Sequence, residues 1–185
     1  MPESDSPTHS LQGALLLAAP SLTDPNFSKS VIFMAAHTEE DGAFGYILNR
    51  PTTQRVADLL PDKDLGALGD VDVFIGGPVA TDKLAFAALR WDAHLRSLNC
   101  ETHLSVGAAL EALNTGHLVR GFVGYSGWTE GQLENEIKHR SWITTSPTHA
   151  VITCDEPAEL WRTVLGDMGP IFELMSRVPD DVSLN

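Results

Sequence analysis

The sequence predicts an α+β domain on a mixed β-sheet, and three observations carry that expectation. The N-terminal third is a series of apolar strand-like segments separated by turns, so the chain opens as an antiparallel unit. The C-terminal half alternates strand and helix patterns without becoming a regular βαβ series. Glycines also recur inside a strand-like run, at Gly121 and Gly124, which calls for bulges and sharp coiling.

Taken in order, residues 11–19 read as a buried strand and 20–25 as a turn in which Asp24-Pro25 starts a reversal. Segments 30–36 and 43–48 are strands, and the polar link 37–42 ends in Asp41-Gly42, a hairpin signal. Asn49-Arg50-Pro51 ends the third strand, because proline removes a ladder donor. Residues 56–60 allow one or two helical turns before Pro61, and a loop with Gly66 and Gly69 follows. Segment 71–75 is a strand broken by Gly76-Gly77-Pro78, and 84–91 is another. Val106, Ala109, Leu110 and Leu113 have helical spacing, with Ser105 as N-cap and Gly116 as the positive-φ stop. Segment 119–125 is a strand. Thr129 and Gln132 match a capping box, opening a helix with Leu133 and Ile137 on one face. Segment 150–153 reads as a strand. Pro157 suits the first turn of a last helix, whose stripe is Leu160, Trp161, Val164 and Leu165, closed by Gly166 and Gly169.

Length and composition fit one domain over 11–178, between a disordered polar tail at 1–10 and a C-terminal tail at 179–185. No apolar run reaches the roughly 18 residues of a membrane span. The short apolar stretch 13–19 follows acidic residues, not basic ones, and so reads as a strand and not as a signal peptide. Cys100 and Cys154 are expected to be reduced and mostly buried, which with the missing signal implies the cytoplasm. Lys and Arg total 12 against 25 Asp and Glu, for a net charge of −13. Such a field repels nucleic acid and anionic membrane. The densest basic run, Lys138-His139-Arg140, follows Glu134 and Glu136 and suits a solvated helix end.

The most informative run is G-Y-S-G-W-T-E-G-Q-L-E-N-E-I at 124–137, a glycine-rich joint between strand and helix. It departs from the G-x-S-x-G elbow, because the fifth position is Trp128. Its glycines, Gly127 and Gly131, are expected to take positive φ in a tight turn. Backbone N–H groups of 127–131 at a helix start could meet an anion, although no P-loop or G-x-G-x-x-G spacing is present. Arg50, at a strand end, could grip a carboxylate or phosphate, or pair internally with Glu134 or Glu136. Those two glutamates lie two apart on a helix and point to different sides. Gly76-Gly77-Pro78 is a chain reversal, or one wall of the same cleft. His37 and the other histidines are scattered, with no metal-ligand spacing. A ligand-binding cleft is therefore expected around Asn49, Arg50, Gly76, Gly77, Gly127, Trp128 and Gln132, with no catalytic set, metal or cofactor.

Several blocks together resemble the YqgE/AlgH family of bacterial proteins. They are A-P-S-L-x-D-P-N-F-x-x-S-V-I, His37, G-Y-I-L-N-R-P, I-G-G-P-V, G-Y-S-G-W-x-x-G-Q-L-E-N-E-I, Trp142 and Leu160-Trp161-Arg162, spanning about 11–169. The chain departs from the family pattern at Ala87-Ala88-Leu89-Arg90-Trp91, where Leu-His is common, and at His139-Arg140-Ser141-Trp142. The resemblance implies a single domain whose bifurcated mixed sheet curls into a pseudo-barrel with flanking helices. It also implies a link to transcriptional regulation, and it brings no catalytic residues. The expected function is a cytoplasmic, non-enzymatic module that binds a protein partner or a small anionic ligand and touches transcription indirectly. The alternative is an enzyme with a cryptic pocket acting on a phosphorylated or carboxylate substrate. In a gel shift near ~150 mM salt, the isolated chain is expected to form no sequence-specific complex with duplex DNA; a discrete complex at that salt would refute the charge argument.

Overall fold

A computed structural model describes residues 10–38 and 40–177. The expected tails lie outside the described residues except for Ser10, whose hydroxyl donates to the His37 carbonyl at 3.0 Å. The strands are β1 (Leu15–Ala18), β2 (Val31–Thr38), β3 (Gly42–Ile47), β4 (Pro51–Arg55), β5 (Asp72–Ile75), β6 (Val79–Asp92), β7 (Ser97–Glu101), β8 (Leu118–Trp128) and β9 (Trp142–Thr145). The helices are α1 (Val56–Leu59), α2 (Val106–Asn114), α3 (Gln132–Lys138), α4 (Ala150–Thr153), α5 (Leu160–Asp167) and α6 (Pro170–Ser176), with 3-10 turns at Gly66–Asp70 and Pro157–Glu159. One path of the sheet runs β4-β5-β8-β3-β2-β1-β9, while β6 pairs with β8 and β7. The β5–β8 pair is parallel and the rest are antiparallel, so the sheet is mixed; it curls into a half-barrel.

β8 is the hub. Its residues 121–123 pair with β5 along one edge and with β6 along the other. Yet β5 and β6 are joined only by Gly76-Gly77-Pro78, so the chain must step across β8 in three residues. It does so at backbone contact. A Cβ on Gly76 would lie 2.3 Å from the Gly124 carbonyl oxygen, and one on Gly77 would lie 2.2 Å from the Tyr125 carbonyl carbon. Gly76 then closes the fork of the sheet. Its N–H donates to Val123 at 2.9 Å and its carbonyl accepts from Ile47 at 2.9 Å. Beyond it β5 has ended, and β3 pairs directly with β8 at 126–128.

Gly124, at φ +71°, marks a second device in the same place. The β6–β8 register slips here, passing from Leu84↔Val123 to Val79↔Tyr125. Before it, Val119 and Val123 face one layer of the core and Phe122 another; after it, Tyr125 joins the layer of Phe122. The bulge therefore reverses which side each parity faces. It also lets Trp128 enter a third layer with Leu16, Ile32, Ile47, Leu133 and Trp142. β1 shows the same division in simpler form, with Leu15 and Leu17 in the concave layer under α4 and α5, and Leu16 and Ala18 on the other side.

Most expected elements are present, and several differ for identifiable reasons. Pro51 does end β3, but it also opens β4 at the sheet edge, where a first-position proline leaves no ladder donor missing. Residues 150–153 form α4 and not a strand. Val151 packs into the concave layer, and this tertiary contact overrides the β-branched composition. The first strand begins at Leu15, and the short β7, β9 and α6 had no clear periodic signal. The α2 cap agrees with expectation, with Ser105 Oγ accepting from the Ala108 N–H at 3.2 Å and Gly116 at φ +82°.

Gly124→Ala should lower the melting temperature by roughly 10 °C or prevent folding, because its Cβ would lie 2.3 Å from the Gly77 carbonyl oxygen. Gly116→Ala shares the positive φ but meets open space, and should cost only about 1 kcal/mol. Equal melting temperatures for the two variants would refute the close crossing.

Candidate functional site

At one end the half-barrel is not filled, and a cleft of about 720 Å³ opens there. Cross-strand register builds its floor. Ala36 on β2 faces Phe44 on β3, and Phe44 faces Gly127 on β8, so a small residue stands on each side of one aromatic ring. Tyr125 and Val79, paired across β8 and β6, form a wall. His103, held at φ +57° after β7, closes the other side. The Phe44 ring meets those of His103 and Tyr125 edge-on, with centroids 5.7 and 6.1 Å apart. Thr38, Asp41 and Thr129 supply the polar rim. The volume lies within the range of about 300–1,000 Å³ usual for binding clefts, and barrel mouths are a common place for them.

Two carboxylates on α3 brace this end of the molecule. Glu136 Oε2 accepts the indole N–H groups of Trp128 at 2.9 Å and Trp142 at 2.7 Å, while Oε1 accepts from Gln132 at 2.9 Å. Burying two indoles requires acceptors for their N–H groups, and one carboxylate serves both. Glu134 holds His37 at 2.6 Å. Because His37 Nδ1 accepts the Leu11 N–H at 2.9 Å, the ring hydrogen sits on Nε2 and is donated to Glu134. Burial, the largest influence, pushes the Glu134 carboxyl up; hydrogen bonds from His37 and its own backbone N–H, with the attraction of the imidazole, outweigh it and hold it below its ordinary value. Deeper in the sheet, Arg120 is buried, with its guanidinium 4.4 Å from the Phe74 ring centre and one N–H on the Leu48 carbonyl at 3.0 Å. Burial lowers its pKa to about 10, partly offset by Asp72 and Cys154.

The residues expected at a site divide between the cleft and the scaffold. Gly127 and Trp128 line the cleft. Gly127 lies in extended β8 and has no positive φ, unlike Gly131 at +70°, so the tight turn belongs to Gly131 alone of these two. Gly76 and Gly77 are consumed by the crossing of β8. Asn49 is buried, accepting from the Val31 N–H and donating to the Lys29 carbonyl, both at 2.8 Å. Arg50 pairs with neither Glu134 nor Glu136; it donates to the carbonyls of Asn26 at 2.5 Å and Ser28 at 3.1 Å, fastening the β1–β2 loop. Gln132 binds Glu136 and accepts from the Thr129 N–H at 3.1 Å, which is half of the expected capping box. Ser126 is fully buried, with its hydroxyl on the Gly76 carbonyl at 3.1 Å, and so is no exposed nucleophile. Cys100 and Cys154 are not joined, and burial pushes the Cys100 thiol up to about 12. Phe44, Val79 and His103 were absent from the expected site, and Tyr125 entered it only as part of the 124–131 joint. Only the alternation of small and aromatic residues in 42–46 hinted at Phe44.

Arg50→Ala should destabilise the fold by about 1–2 kcal/mol, the value of hydrogen bonds from a charged but half-exposed group; an unchanged denaturation midpoint would refute its loop-fastening role. A second measurement concerns acid. With its folded pKa lowered, Glu134 contributes stability that is complete above the ordinary 4.5 and is lost as pH falls through the depressed value. Glu134→Gln should therefore flatten the stability profile below about pH 5; an unaltered acid limb would count against the His37 contact.

A family model described as AlgH-like, DUF179, matches residues 15–173. A UPF0301 protein of Cytophaga hutchinsonii is 34% identical over 183 residues, covering 94% of this chain and 98% of its own. Another, from Streptomyces avermitilis, is 37% identical over 188 residues and covers 95% and 96%. The solution structure of the AlgH protein from Pseudomonas aeruginosa superposes with a TM-score of 0.64 at 29% identity, over 97% of this chain and 98% of that one. A Corynebacterium diphtheriae crystal structure shares the fold, with a TM-score of 0.70 at 23% identity, over 96% and 95%. With near-complete coverage on both sides and a matching fold, this chain belongs to the AlgH-like family.

Proposed function

We propose that this protein is a cytoplasmic, non-enzymatic binding module whose ligand or partner seats in the barrel-mouth cleft, and that any effect on transcription passes through that partner. The observation that carries the reading is the cleft itself: aromatic walls on a rigid sheet, opened by the missing side chain of Gly127. Two groups that the sequence offers for chemistry are engaged by the scaffold. Ser126 is buried against Gly76, and the Arg50 guanidinium is bound to loop carbonyls. An enzyme for anionic substrates is the weaker reading, because among the described residues the cleft lining carries Asp41 and no Lys or Arg. Direct DNA recognition is disfavoured by the net charge of −13. The cytoplasmic placement rests on the sequence; among the described residues no helix is long and apolar enough to cross a membrane.

The test is an NMR screen with small aromatic fragments. Fragments should shift the amides of Gly42, Phe44 and Gly127, and Gly127→Val should abolish those shifts while staying folded. A Cβ on Gly127 would meet side chains alone, the Tyr125 ring at 3.0 Å and Val79 Cγ2 at 4.0 Å, and no backbone. Fragments that cluster elsewhere, or that bind the variant equally, would overturn the assignment.

A further inference from the structure

We infer that the cleft is a docking groove for a short basic and apolar peptide segment of a partner protein. The inference rests on the proposed cleft and adds the chemistry of what enters it.

Three observations carry it. The first is the wall. The Phe44 ring stands at 63° to that of His103 and 82° to that of Tyr125, and Val79 and Ala36 add aliphatic surface. Such a surface takes an apolar side chain or the stem of a long cationic one, and ring faces attract a cation. The second is the rim. Asp41 lines the cleft at the hairpin tip, its carboxylate accepting from Thr38 Oγ1 at 3.3 Å. Glu40 precedes it, and Glu130 follows the lining residue Thr129; all three acids are exposed. A Cβ on Gly42 would lie 3.1 Å from the Glu130 nitrogen, so the backbones of the two acidic turns are adjacent. No Lys or Arg lines the cleft among the described residues. The net charge of −13 adds a long-range field of the same sign.

The third observation is shape. The cleft is open to solvent, not enclosed. A free small molecule is normally engulfed over some 70–90% of its surface, whereas a peptide segment needs only one face covered. Charge complementarity then selects a basic segment over an acidic one and disfavours a second copy of this acidic chain.

The experiment uses the full chain, isotope-labelled, and an acetylated, amidated hexapeptide alternating lysine and leucine. The peptide should shift the amides of Gly42, Phe44 and Gly127. Asp41→Lys, an exposed hairpin position, should weaken binding at least tenfold without altering the rest of the spectrum, and so should raising the salt to about 0.5 M. A glutamate–leucine counterpart that binds as well would overturn the charge assignment. A lysine–serine counterpart that binds as well would overturn the apolar one. Phenethylamine binding as tightly as the hexapeptide would make the occupant a small organic cation and overturn the peptide. Shifts of the same amides on protein dilution alone would point to a second copy and overturn a foreign partner. If no peptide shifts the cleft, the inference fails. The aromatic-fragment screen, which needs no charge, then shows whether the cleft itself survives as a binding site.

Discussion

The chain steps across its own central strand in three residues, and the rest of the architecture follows from that crossing. β5 and β6 flank β8 on opposite edges but are consecutive in sequence, so Gly76 and Gly77 must pass over residues 124–126 at backbone contact. Any side chain there would separate the two layers. Because the crossing is tight, Gly76 can bond to β8 and β3 together, and the sheet forks at that residue. Because β5 stops there, β3 can reach the end of β8, and the Ala36–Phe44–Gly127 row that floors the cleft exists only beyond that point. The cleft is a consequence of the fork.

Polar side chains at both ends of the β2–β3 hairpin mostly do scaffold work, and each answers a requirement created by burial. Two buried indoles need acceptors, and Glu136 supplies both. A β1–β2 loop without its own ladder needs donors, and Arg50 provides them to its carbonyls. Where β2 begins, the Asn49 amide replaces a strand partner for Val31 and Lys29. His37 ties Leu11 and α3 to the end of β2. Groups of this kind resemble functional residues in a sequence, because both uses need polar atoms beside glycine and aromatic residues. The distinction lies in whether a partner is already bound.

Much of the architecture was legible in the sequence. The hairpin of β2 and β3, the capped α2, the long apolar run of β8 and the stripe of α5 each carry a local periodicity or a cap signal. The cleft was legible only in part. Gly127 and Trp128 stood out through the glycine-rich joint. Phe44, Val79 and His103 come from three separate segments that strand register and a ring contact bring to that joint.

By itself, the sequence determined the mixed α+β character, the family, the net negative charge, and the presence of a chain reversal at Gly76-Gly77-Pro78 and of bulging glycines in β8. These are local or compositional properties, set by hydrophobic period, backbone freedom and summed charge. Only the tertiary structure decided that Arg50 donates to the loop carbonyls of Asn26 and Ser28, that residues 150–153 coil into a helix, and that Gly124 reverses the facing of β8 so that Trp128 turns inward. Those outcomes depend on which donors and acceptors long-range strand pairing leaves over, and on which cavity a side chain can fill. Neither quantity is present in the neighbouring residues of the chain.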